Sequence, residues 1–171
     1  MQGLARVSHR QITSTTSSVY EYDENGGEGV DVYVIDTGIN INHVEFEGRA
    51  KWGKTIPRNS PDSDQNGHGT HVAGTIASRK YGVAKKANLI AVKVLGADGS
   101  GTLSDIIAGI AWAVGEAKAA NGRANHKGSV ANMSLGGRTK SPAFNDVVNK
   151  AVQSGLHFAV AAGMSLGFLD E

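Results

Sequence analysis

The run Val30-Asp31-Val32-Tyr33-Val34-Ile35 constrains this chain most. β-Branched and aromatic residues dominate it and there is no polar alternation, the pattern of a strand buried on both faces. Such a strand needs a parallel sheet with helices above and below. The rest of the chain supplies the parts. Asn88 to Leu95, Ser129 to Leu135 and His157 to Ala162 read as three further long buried strands, and Ala50 to Thr55 as a short one. A helix opens at His68 and is closed by Tyr81-Gly82. Leu103 to Ala120 is a second helix with Thr102 as its cap. A third begins at Ser141-Pro142-Ala143, with Ser as N-cap and Pro at the first helical position, and ends at Gly155. Strand and helix in this alternation give an α/β fold, a three-layer parallel sheet. Residues 1 to 28 are a polar, Ser- and Thr-rich lead-in, and the turn cluster Asn25-Gly26-Gly27-Glu28-Gly29 delivers the chain into the first core strand.

Two residues stand where chemistry collects. Asp36 closes the first strand, and in open α/β sheets functional groups gather beyond the carboxyl ends of strands. His68 lies between Gly67 and Gly69 in Asn66-Gly67-His68-Gly69-Thr70-His71-Val72-Ala73-Gly74-Thr75. Small residues at helical spacing, Thr70, Ala73, Gly74 and Ala77, suit a helix whose backbone packs very close to the sheet. His68 then sits at that helix's start, where the positive end of the backbone dipole disfavours an imidazolium. A carboxylate beside it can accept its Nδ1 proton, fix the tautomer and steady the imidazolium formed during proton transfer. His71 reads as a hydrogen-bonded core histidine. His43, in the surface connection Ile39 to Arg49, reads as structural.

Composition excludes several classes. With 17 basic and 16 acidic side chains the formal charge is +1, so neither nucleic acid nor an anionic membrane is expected as a partner. The absence of Cys rules out a thiol nucleophile and thiolate metal sites. No apolar run approaches the ~20 residues that cross a bilayer, and residues 1 to 20 lack the apolar core of a signal peptide. Gly96-Ala97-Asp98-Gly99-Ser100-Gly101 lies between a strand and a helix, but its spacing fits neither a phosphate loop nor a dinucleotide fingerprint. His68 and His71 lack the glutamate of a zinc-protease helix, so neither a metal nor a cofactor is expected.

The ordered set VDVYVIDTGI, NGHGTHVAGT, YGVAKKANLIAVKVLGADGSGT, ANMSLGG and FAVAAG resembles the subtilisin-like serine proteases. WGKTIP, KSPA and GLHFAVAAG are most similar to the fungal proteinase K branch, with its vacuolar enzymes of the cerevisin type. The resemblance runs from about Gly3 to Gly163. It implies an Asp-His-Ser triad of which Asp36 and His68 are two members, and a serine endopeptidase acting on peptides or proteins. It also implies a pro-segment that acts as inhibitor and a vacuolar or secreted setting. By the same resemblance Gly99, Ser100 and Gly101 form an edge that pairs with the backbone of an extended peptide. Ser134, Leu135 and Gly136 form one wall of the pocket for the residue before the scissile bond, and Ala161, Ala162 and Gly163 the facing wall.

Beyond that stretch the pattern departs. Residues 1–163 read as the amino-terminal part of a peptidase domain and 164–171 as a tail that does not match. Met164 stands where the family has an oxyanion-binding Asn, and a thioether cannot donate a hydrogen bond. No Gly-Thr-Ser-Met-Ala occurs, so the family's nucleophilic serine is not in these residues. Gly163-Met164-Ser165-Leu166-Gly167 matches the form of a nucleophile elbow, yet only four residues follow it and no helix can. The insertion that carries a calcium site in bacterial members is missing between Ala77 and Tyr81. A sheet stopped after its fourth long strand is expected to leave an open edge and an uncovered apolar face, and hence to associate.

Overall fold

The structure, a computed structural model, describes residues 2–11, 19–137 and 141–162. In chain order its elements are α1 (Gln2–Ser8), β1 (Val30–Asp36), a 3-10 turn (Val44–Phe46), β2 (Ala50–Thr55), α2 (His68–Ala77), β3 (Asn88–Lys93), α3 (Leu103–Ala120), β4 (Gly128–Met133), α4 (Pro142–Gln153) and β5 (His157–Val160). The five strands form one sheet in the order β2-β3-β1-β4-β5, every neighbouring pair parallel. β1 lies at its centre, buried from Asp31 to Asp36.

The two-residue period of the strands divides the core into two layers. Val32 and Val34 of β1 and Leu89 and Ala91 of β3 pack with Ala73 and Ala77 of α2 on one face. Tyr33, Ile35, Val92 and Val94 pack with Ile110, Ala113 and Ala117 of α3 on the other, and Ala151 of α4 joins that cluster. Covering both faces is what the apolar run at 30–35 requires: each large side chain removed from water contributes roughly 1.5–3 kcal/mol. The expected three-layer arrangement is therefore present. Caps stand where the sequence places them, Thr102 accepting from the Asp105 N–H and Ser141 from the Phe144 N–H. Among the described residues no helix is long and apolar enough to cross a membrane.

Several details differ from the sequence reading. A short helix, α1, occupies part of the polar lead-in. α2 ends at Ala77 and not at Tyr81-Gly82, because other chain segments take its last carbonyls: Val83 and Ala84 N–H groups donate to Thr75 and Ile76, and Arg49 to Ala77. With those acceptors engaged, a further helical turn has nothing to bond to. β3 and β4 end two residues early, at Lys93 and Met133. β5 is neither long nor buried. It spans four residues, of which His157, Ala159 and Val160 are exposed, since it is the last strand in the sheet and burial depends on neighbours that its own pattern cannot reveal.

Candidate active site

The carboxyl ends of β1 and β3 and the start of α2 meet at one point. The Asp36 side chain is fully buried, while the His68 side chain beside it is half exposed. The His68 Nδ1 lies 2.8 Å from Asp36 Oδ1 and 3.0 Å from Oδ2. A carboxylate only accepts, so Nδ1 is the donor, and in the neutral ring Nε2 then keeps the lone pair. Oδ1 also accepts from the Thr37 N–H at 2.7 Å, and the Asp36 carbonyl takes the N–H groups of Val94 and Leu95. These contacts fix the carboxylate to the sheet, and the carboxylate in turn fixes the ring.

The glycines flanking His68 have separate reasons. Gly67 is the N-cap with φ of 98°, a left-handed conformation that costs other residues energy. Gly69 is buried against β1: a Cβ there would run into the Gly38 carbonyl and also meet Thr37 Oγ1 and Asp36 Cβ. Its N–H donates to Thr37 Oγ1 at 2.9 Å. The close approach of helix to sheet is thus made by Gly69, Ala73 and Ala77, and not by Gly74, beside which a Cβ would meet only open space.

Asp64 and Asn66 were given no role in the sequence reading, yet they organise the site. Asp64 Oδ1 accepts from the Thr37 hydroxyl (2.8 Å) and the Asn66 and Gly67 N–H groups (3.1 and 2.9 Å), and Oδ2 from both Thr70 N–H and hydroxyl (2.9 and 2.5 Å). Burial works to raise its pKa, but the bonds from Thr70, Gly67 and Thr37 together outweigh it and hold the carboxyl below the usual range. Asn66 accepts from the His68 N–H and donates to the Ala97 carbonyl at 2.9 Å, tying the histidine to the glycine loop. The visible signal is the Asp-x-Asn-Gly spacing, which favours side-chain-to-backbone turns.

The other residues singled out in the sequence are placed as follows. Gly99, Ser100 and Gly101 are exposed beyond β3. They are not an extended edge throughout: Gly96 N–H donates to the Ser100 carbonyl, Gly99 N–H to the Gly96 carbonyl, and Asp98 accepts from the Ser100 N–H and hydroxyl. Ser134, Leu135 and Gly136 leave the end of β4, and Ala161 and Ala162 the end of the adjacent β5, with the Ala161 N–H donating to the Met133 carbonyl. Both groups emerge at the same sheet edge as Asp36. Gly163, Met164 and the elbow-like Ser165 lie outside the described residues. His71 is not a core histidine. It is exposed on the side of α2 away from the sheet, on the wall of a groove of about 590 Å³ that also includes His43, Phe46 and Tyr81. His43 is structural as read, its Nδ1 accepting the Glu45 N–H at the 3-10 turn.

The sequence profile described as the subtilase family matches residues 27–165, a span that contains β1 with Asp36, α2 with His68, and the glycine loop. The chain belongs to the subtilase family. Subtilisin-like protease 8 of Arthroderma benhamiae is 62% identical over 169 residues, covering 94% of this chain and 34% of the relative. Alkaline protease 2 of Aspergillus fumigatus is 61% identical over 168 residues, with the same coverages of 94% and 34%. The crystal structure of a cold adapted subtilisin-like serine proteinase superposes with a TM-score of 0.83 at 45% identity, over 95% of this chain and 56% of that one. This subtilase chain thus spans about a third of the length of the curated relatives it matches. The likeness to the solved structure, at that identity, agrees with the parallel sheet described above.

Proposed function

We propose that this chain supplies the aspartate and histidine of a serine endopeptidase that hydrolyses peptide bonds through an Asp-His-Ser triad. Asp36 orients His68 and steadies its imidazolium, and His68 Nε2 takes the proton of a serine hydroxyl and returns it to the leaving amine. The observation that carries this reading is the 2.8 Å contact of a fully buried carboxylate with a half-exposed imidazole at the carboxyl edge of a parallel sheet. Peptide or protein substrates would lie along Gly99, Ser100 and Gly101. The Gly99 and Ser100 N–H groups and the Ser100 carbonyl are engaged within the turn, which leaves Gly101 as the main pairing residue. Ser134, Leu135 and Gly136, with Ala161, Ala162 and Gly163, would wall the pocket for the residue before the cut. By likeness to the fungal enzymes the protease works in the vacuole or outside the cell, with its own pro-segment as inhibitor.

A second reading is favoured by a specific feature: Met164 stands where the resemblance implies an oxyanion-binding Asn. On that reading the 171 residues form a non-catalytic unit that keeps part of a peptide-binding edge. Even on the first reading these residues alone are expected to hydrolyse peptides negligibly, because the serine that the resemblance implies is not among them and a Met at 164 cannot donate to an oxyanion. A fluorophosphonate probe should leave the 171-residue chain unlabelled; stoichiometric labelling of any serine would refute that. Joining this chain to the remaining catalytic domain of alkaline protease 2 of Aspergillus fumigatus separates the two readings. The chimera should cleave peptides and lose that activity with His68→Ala. A folded but inert chimera would establish the non-catalytic reading instead.

A further inference from the structure

Lys93 is the last residue of β3 and the register partner of Asp36. Leu89 and Ala91, four and two positions earlier, face α2, so the two-residue period puts Lys93 on the same face as Asp36 and the start of α2. A lysine there is unusual. It is fully buried, and its Nζ donates to the Thr37 carbonyl at 2.7 Å. One neutral carbonyl cannot compensate a buried ammonium, which is stable only beside opposite charge. The charged groups that act on it are Asp64 in the loop before α2 and Asp36 on β1, each bonded to Thr37 as Lys93 is, and Asp36 in turn bonds His68 of α2. On β2 its register partner is Thr55, whose hydroxyl bonds to the exposed Asp62.

We propose that Lys93 is a positioning residue of the Asp36–His68 pair: its ammonium offsets one of the two carboxylates, Asp36 and Asp64, that bond to the same Thr37 as it does. With Lys93 present the two carboxylates and the ammonium carry one net negative charge. Without it they carry two, the imidazolium is stabilised, and the base stays protonated to higher pH. Burial pushes the Lys93 ammonium below the ordinary lysine range, while Asp64 and then Asp36 pull it back towards the charged form. The sequence carries a trace of this arrangement in Ile90-Ala91-Val92-Lys93-Val94-Leu95, one lysine inside an apolar strand.

The inference rests on the reading of Asp36 and His68 as a working pair, but its test reads a proton and not peptide cleavage. The His68 imidazole resonances, assigned with His68→Gln, are followed against pH by NMR in the 171-residue chain. Lys93→Met should move the His68 midpoint upward by about half a unit or more, Lys93→Arg should return it towards the parent, and Asp64→Asn should move it downward. An unchanged or lowered midpoint in Lys93→Met overturns the proposal. If Lys93→Met does not fold, the unmodified chain decides through the ¹⁵N and ¹³Cε shifts of Lys93: a charged ammonium at pH 7 upholds the proposal and a neutral amine ends it. A chimera that folds but cuts nothing, while His68 shifts as stated, would sink the protease reading and leave this one standing.

Discussion

The central strand carries a buried aspartate at each end, and the two have been put to different use. Asp31, near the start of β1, accepts from Asn88 Nδ2 at 2.9 Å and pairs with Arg123, with His126 Nε2 3.8 Å away. Asp36, at the far end, meets His68. Both are carboxylates with a histidine neighbour inside the same sheet. At Asp31 the histidine side chain is only 4% exposed, and its Nε2 also lies 3.1 Å from the Ser129 hydroxyl. At Asp36 the histidine is half exposed, bonded through Nδ1, and among the described residues nothing bonds its Nε2. A buried Asp–His contact is therefore not in itself a site. A site needs an atom left free to act, at a place that a substrate can reach.

That comparison can be broken most directly by replacing both aspartates in the chimera with alkaline protease 2. Asp36→Asn should lower kcat by about 10⁴-fold, because an amide no longer holds the correct tautomer of the base. Asp31→Asn should change kcat only a few-fold, and equal losses at both ends would erase the distinction. The next largest effect sharpens the geometry at the Asp36 end. Gly69→Ala should destabilise the chain by about 3 kcal/mol through the collision with the Gly38 carbonyl, whereas Gly74→Ala in the same helix should stabilise it by up to about 1 kcal/mol. Chemical denaturation midpoints compare the two. The smallest effect concerns pH. Asp64 has its pKa lowered from 3.8 on folding, so it contributes stability that is fully present above the unfolded value and is lost as pH falls through the folded one. Acid unfolding of Asp64→Asn should be shallower than that of the parent below about pH 4.

What could be read in the linear chain was whatever depended on neighbours close in sequence. Asp36 was visible because a buried strand must end somewhere and a carboxylate there is placed by the sheet. His68 was visible because glycines on both sides mark a crowded helix start. The caps Thr102 and Ser141 were equally legible, their partners lying three residues on. Lys93 and Asp64 went unread although each leaves a local trace, because the partner that gives each its place beside Asp36 is Thr37, 56 and 27 residues away. His71 was misassigned for the same reason: helical spacing gives a face, but not which face meets the sheet.

By itself, then, the order of residues determined the strand-and-helix alternation, the parallel sheet, and the identity of the aspartate and histidine that meet. These follow from periodicity and from chain ends that short-range sterics and hydrogen bonding dictate. Only the tertiary structure decided where α2 stops, that β5 lies bare at the margin, and which of two buried aspartates is left beside an open imidazole. Burial and hydrogen-bond satisfaction depend on segments far apart in the chain, and they take effect only once the sheet has brought those segments together.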